Sequence, residues 1–318
     1  EDSVATLIGE PYRSRKVTFH LPDFIDIVAN AGDSRDAIGA TIGQSLPNWG
    51  PVSAEGRGRT VAMSNLYTDP DSQRVRRMKA ESLFSKASMA IYVDDPGPSL
   101  LSTILHEATH NLGPSHEYKY QGKTDAMAFG GDLSSMMEEL KAQSGTLFYI
   151  DFGKRKGIIS PELARQTYMD SLVWAMNHIS RGMWADGKKR KPYSQLAAIH
   201  VGFLMDEKVL TWDPEALAAN GKDKGAFTVD FDKLPAAAEE LLTTGGGSEA
   251  TNDKKAAEGL GEKYGDGPVV PHKVIAERCL RFPQPSFVYA VDLLPGIVLA
   301  CRPFPRRGDR RPSRGRRR

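Results

Sequence analysis

Leu105-His106-Glu107-Ala108-Thr109-His110-Asn111-Leu112-Gly113 is the stretch from which the rest of this chain is read. Two histidines four apart stand about 40° from each other around a 3.6-residue helix, so both imidazoles can reach one metal ion. The helical setting is present. Pro98 sits near the start, and Leu100, Leu101, Ile104 and Leu105 supply apolar positions at helical spacing. Asn111, Gly113 and Pro114 supply the stop, with Gly113 free to take the left-handed cap. Glu107 then lies beside the open coordination position of the ion. A zinc-bound water there has a lowered pKa, and the carboxylate can take its proton and pass it on. The competing reading is a core helix with ordinarily hydrogen-bonded histidines, which needs three specified residues to coincide among only seven histidines.

This spacing is a metalloprotease signature that requires a third ligand, and two candidates imply different enzymes. His116 completes the string His106, His110, Gly113, His116, the metzincin spacing, with Met136 or Met137 as the methionine of a turn beneath the metal. The rival is the pair Glu138-Glu139. It lies in a segment, 133–143, whose Leu133, Met136, Met137 and Leu140 form an apolar helical face. Methionines inside a helical pattern do not make a tight bend, which favours a glutamate from a second helix. Of two adjacent acids, one would bind metal and one would hold a ligating histidine from behind.

The two motifs together resemble the dipeptidyl-peptidase III family of zinc exopeptidases, in a divergent bacterial form. The second motif stands here as Glu138-Glu139-Leu140-Lys141-Ala142-Gln143. The resemblance implies one zinc ion on His106, His110 and Glu139, with Glu107 as general base and Glu138 behind a ligand. Gln143 stands where the family usually has glutamate, and the two histidines are closer in sequence than in many members. The segment Gly43-Gln44-Ser45-Leu46-Pro47-Asn48-Trp49 resembles one lining the family's peptide cleft, which makes Asn48 a substrate contact. Gln195 to Val201 resembles the helix carrying a histidine near the reacting carbonyl, which makes His200 an oxyanion stabiliser.

The remaining sequence sets bounds. The 318 residues are 40% hydrophobic, an ordinary composition for a packed core. Cys279 and Cys301 form neither a zinc motif nor a disulfide framework. No apolar run is long enough for a membrane span, and the compartment is not readable. The net charge of +2 is misleading, because residues 302–318 hold nine arginines and one aspartate, which leaves the preceding chain at about −6. That tail lacks the interleaved aromatics of a nucleic-acid surface and reads as disordered.

The expected fold is mainly α (α+β): a helical zinc-binding catalytic lobe, with a few short strands in the N-terminal part. Residues 1–95 are expected to be an irregular α/β segment lining the cleft, 96–292 the helical lobe, and 293–318 a disordered tail rich in arginine and proline. Helices are expected over 161–177, 193–209 and 235–244, strands over 16–20 and 89–93, and a flexible connection at Gly245-Gly246-Gly247-Ser248. The start at Glu1, without methionine, reads as a processed or cut product; the resemblance implies a second, β-rich lobe built from earlier sequence, and with only 105 residues before His106 much of it is expected to be missing. The expected function is zinc-dependent hydrolysis of peptide bonds with release of dipeptides from peptide N-termini, weak in this chain. The expected partner is a peptide, with no nucleic acid and no membrane. Two alternatives stand beside it: a metzincin-like endopeptidase using His116, and a non-catalytic zinc-stabilised module.

Overall fold

The computed structural model describes residues 1–17, 23–26, 43–46 and 59–282. In chain order the elements are α1 (Asp2–Ile8), β1 (Asp23–Ile25), β2 (Gly43–Leu46), β3 (Arg59–Met63), α2 (Asn65–Thr68), α3 (Pro70–Leu83) and α4 (Lys86–Met89). Then follow α5 (Gly97–His110), α6 (Asp125–Phe129), α7 (Gly131–Arg155), α8 (Pro161–Ile179), β4 (Trp184–Ala185), β5 (Lys189–Arg190) and α9 (Pro192–Asp206). The chain continues through β6 (Leu210–Leu217), β7 (Lys224–Val229), α10 (Leu234–Ala250), α11 (Lys254–Leu260), a π-helical turn (Gly261–Asp266) and α12 (His272–Leu280). The fold is mainly helical with short strands, as expected.

The architecture is built around α7. Seventeen of its 25 residues are buried, so it has almost no solvent face and is the central rod of the bundle. Helices α5, α8, α9 and α10 all pack on it. A helix buried on every side must satisfy its own polar side chains. Ser144 and Thr146 do so by donating to the carbonyls of Leu140 (2.6 Å) and Ala142 (2.9 Å), one turn back. The main core runs from Ala80, Leu83 and Phe84 through Met136, Leu140, Met169 and Ile199 to Ile275.

The strands form small two- and three-stranded sheets. β3 is the middle of a three-stranded sheet, parallel to β1 (Asp23↔Val61) and antiparallel to β2 (Gln44↔Val61). A hairpin, β6–β7, joins the other side, where Ser85 N donates to Phe227 O at 2.8 Å.

Several expectations change. Met89–Val93 is not a strand: α4 ends at Met89, and a turn follows. Of the 16–20 strand, Lys16 and Val17 are irregular and the rest lies outside the described residues, as does the tail. The segment before residue 95 contains the regular helix α3, capped by Asp69, whose carboxylate accepts from Ser72 N at 2.7 Å.

The triple glycine is the clearest correction. Gly245, Gly246 and Gly247 are interior residues of α10 rather than a flexible connection. Glycine costs helix stability, about 1 kcal/mol each relative to alanine, but here it permits close approach. A Cβ on Gly246 would stand 2.8 Å from Ile8 Cγ1, and one on Gly245 would meet the Leu140 side chain at 3.5 Å. The absence of a side chain at Gly246 lets α1 lie against α10, whereas the Gly245 contact would be an ordinary one.

A second close approach sets the site. A Cβ on Gly145 of α7 would stand 2.3 Å from Cγ2 of Thr109, a residue of α5 that is fully buried. Gly145→Ala should therefore lower stability by about 1–3 kcal/mol in denaturant melts. The loss should shrink in the double variant with Thr109→Ser, which deletes the obstructing methyl. Equal losses in both backgrounds would show that the two residues are not in contact.

Candidate metal centre

α5 places both histidines on its face toward α7, and the turn after it is pinned. Gly113 adopts φ 68°, the left-handed cap, and the carbonyl of Gly113 accepts from Tyr12 Oη at 2.6 Å. Arg15 Nη2 donates to Asn111 O at 2.9 Å. The N-terminal segment thus braces the end of the histidine helix.

The glutamate pair is presented by α7. His106 Nε2 lies 3.1 Å from Glu139 Oε2 and 3.2 Å from His110 Nε2, and His110 Nε2 lies 3.6 Å from the same Glu139 oxygen. Two donors about 2.0–2.2 Å from one tetrahedral ion stand roughly 3.3–3.6 Å apart. The three separations match the edges of such a tetrahedron to within a few tenths of an ångström. Among the described residues, His106, His110 and Glu139 form the group able to hold a metal.

The outer nitrogens are also committed. His110 Nδ1 lies 2.8 Å from Glu138 Oε1, and His106 Nδ1 lies 3.1 Å from Gln143 Oε1. Both acceptors place the proton on Nδ1, which leaves two Nε2 lone pairs and a carboxylate oxygen converging on one point. Such a cluster calls for a cation. Burial disfavours charge on His106, yet Glu139 and then Glu107 and Gln143 outweigh burial and hold the ring above its ordinary value, so without an ion the ring favours a proton in that place. Burial would raise Glu139, but His106 and His110 hold it below the usual carboxylate range. The residues present therefore fit a zinc ion.

Glu107 is half-buried on α5, and its carboxylate takes no hydrogen bond from a described residue. It is near enough to His106 and Tyr193 to influence both electrostatically.

His116 faces elsewhere. Its Nδ1 lies 3.5 Å from Asp125 Oδ2, its side chain is 52% exposed, and it is not in the three-residue group. Met136 and Met137 are core residues inside α7, not a turn beneath the histidines. His200 also departs from expectation. It is 1% exposed, both ring nitrogens lack partners among the described residues, and burial alone pulls its pKa down to about 4. No hydrogen bond links it to Glu107 or to the histidine pair among the described residues. Asn48 lies outside the described residues.

Three contributors were not selected from sequence. Tyr193 donates from Oη to Glu139 Oε1 at 2.9 Å. Lys141, fully buried, donates to Glu138 Oε2 at 2.8 Å and to Pro114 O at 2.6 Å, and lies 3.8 Å from Glu249 Oε2. Gln143 takes the place behind His106. The only local signal was a lysine inside the apolar face of a helix, which needs a buried partner.

Of the two carboxyls facing Lys141, Glu138 carries the charge. Burial would raise it, but Lys141 and His110 outweigh burial and hold it well below its ordinary range. Glu249 is farther from the ammonium, and burial pushes its pKa well up, helped by nearby Glu138 and Asp125.

No family model matches the chain. Nudix hydrolase 3 of Arabidopsis thaliana is 26% identical over 259 residues, which is 80% of this chain and 30% of that protein. Two solved structures share the fold. Dipeptidyl-peptidase III from Caldithrix abyssi matches with a TM-score of 0.66 at 21% identity, over 80% of this chain and 45% of its own. Dipeptidyl-peptidase III from Corallococcus sp. strain EGB matches with a TM-score of 0.72 at 24% identity, over 89% of this chain and 49% of its own. The chain spans about half the length of these structures and under a third of the curated relative.

Two outcomes follow from the buried charges. Lys141→Met should cost about 3–5 kcal/mol, because it leaves the Glu138 carboxylate buried without its cation. A loss under 1 kcal/mol in urea unfolding would contradict the pairing. Glu249 binds its proton more tightly folded than unfolded, so its contribution is complete below the unfolded value of 4.5 and is lost as pH rises through the folded one. Glu249→Gln should therefore gain stability relative to the parent as pH is raised from 4.5 toward neutrality. Parallel pH profiles would contradict a protonated Glu249.

The fold observed here is thus that of one part of the dipeptidyl-peptidase III structures, and it carries a His–His–Glu group able to hold a metal.

Proposed function

We propose that this chain is the helical, zinc-holding part of a dipeptidyl-peptidase III-type metallopeptidase, acting on peptides from their N-termini. One observation carries the reading. Three donor atoms from two packed helices are spaced like three corners of a zinc tetrahedron, while the far nitrogen of each histidine is already occupied. Solved dipeptidyl-peptidase III structures with the same fold support the choice of reaction class.

The ion would be held by His106, His110 and Glu139, leaving an open position. When bound, zinc supplies Lewis acidity, polarising a carbonyl and acidifying a water. The chain's own residues supply the rest. Glu107 lies next to His106 in sequence, half-buried on the same turn of α5, where it can take the water's proton and deliver it to the departing amine. Glu138 accepts from His110 Nδ1 and Gln143 from His106 Nδ1, which keeps both rings in the ligating tautomer. The buried Lys141 holds Glu138 in place from the other side. The burial of His200 gives no support to an oxyanion role for it.

The name of the Arabidopsis relative points to another hydrolase class, but this chain matches only 30% of that protein. The glutamate beside a metal-ready histidine pair favours an enzyme over a zinc-stabilised module.

The test compares the zinc-loaded chain with Glu107→Gln on dipeptidyl arylamides. Slow zinc-dependent release of the arylamine should fall at least 100-fold in the variant, with zinc content unchanged. Equal turnover in the two, or no zinc-dependent turnover at all, would contradict the proposal.

A further inference from the structure

We infer that Tyr193 is a positioning residue for the metal centre: its hydroxyl fixes Glu139 as a ligand through one oxygen. The inference rests on the zinc reading above. A carboxylate can offer either oxygen or both to an ion, and which it does sets the coordination number and the room left for water and substrate. Here the two oxygens are separated by function. Oε2 faces both Nε2 atoms, at 3.1 and 3.6 Å, while Oε1 accepts from the Tyr193 hydroxyl at 2.9 Å. Rotation of the carboxylate would break that hydrogen bond.

The phenol is itself held. Tyr193 is in the first turn of α9, immediately after Pro192, so it reaches Glu139 across an interhelical gap rather than along its own helix. Its ring lies against His178 at 5.5 Å between centroids and edge-on to Trp174 at 6.3 Å, and Trp174 and His178 stand 4.3 Å apart. Ser194 Oγ donates to His178 O at 2.8 Å and ties the start of α9 to the end of α8. Tyr193 remains 42% exposed, so core packing alone does not account for its placement. The aromatic stack fixes the ring, the ring fixes the hydroxyl, and the hydroxyl fixes the ligand.

Tyr193→Phe removes the hydroxyl and leaves the stack. Zinc affinity is read by competition with a chromogenic chelator, and metal-free stability by thermal melting. The variant should bind zinc about 10–100-fold more weakly with its metal-free melting unchanged. In the cobalt-loaded form its visible absorption should weaken as Glu139 turns to bind through both oxygens. Tight zinc binding by the parent together with an affinity within twofold in Tyr193→Phe would overturn this inference alone. A parallel fall in metal-free melting would overturn it too, since it would make the tyrosine merely structural. A parent chain that binds no zinc would overturn the metal reading, and this inference with it.

Discussion

The close approach of α5 to α7 at Thr109 and Gly145 is the constraint on which the rest of this structure depends. Thr109 lies between the two histidines in sequence and Gly145 lies six residues beyond Glu139, so the helices cannot separate there without pulling the ligand sets apart. Any side chain larger than hydrogen at residue 145 would push against Thr109. The same economy recurs at Gly246 against Ile8, where another helix is drawn in. Glycine in these helices gives up helix propensity for interhelical distance, and distance is what a metal site requires.

Around that contact the chain places an unusual amount of charge in its interior. Lys141, Glu138 and Glu249 are all buried, and Glu138 joins this cluster to His110. Burying an ion pair is seldom a net source of stability, because desolvation offsets the attraction. Its value here is positional. The ammonium grips Glu138 and the carbonyl of Pro114, so the turn that ends α5 and the carboxylate behind His110 are held by one group. Stability and ligand geometry are thereby linked: disturbance of the cluster should be felt at the histidines.

Much of this was legible in the sequence. The helix of His106 and His110, its cap at Gly113, and the second helix bearing Glu138 and Glu139 follow from spacing and turn chemistry. Three of the helices after residue 160 follow from apolar periodicity; two end within three residues of expectation, while the third runs on through its glycines to Ala250. Other features were hidden for physical reasons. Three consecutive glycines read as a break because local propensity favours one, and the close approach of Ile8 to Gly246 is a tertiary contact that the local sequence does not show. Lys141 was not selected because two of its partners, Glu249 and the carbonyl of Pro114, are distant in sequence. His200 looked functional through resemblance, whereas packing closes it off on every side. Tyr193 had no local mark, since its partner comes from another helix.

The central claim is that Glu139, and not His116, completes the metal site. The direct measurement is zinc stoichiometry by atomic absorption on the purified parent chain, Glu139→Ala and His116→Ala. One zinc per chain is expected in the parent and in His116→Ala, with loss of the metal in Glu139→Ala. Loss of zinc from His116→Ala with full retention in Glu139→Ala would contradict the claim.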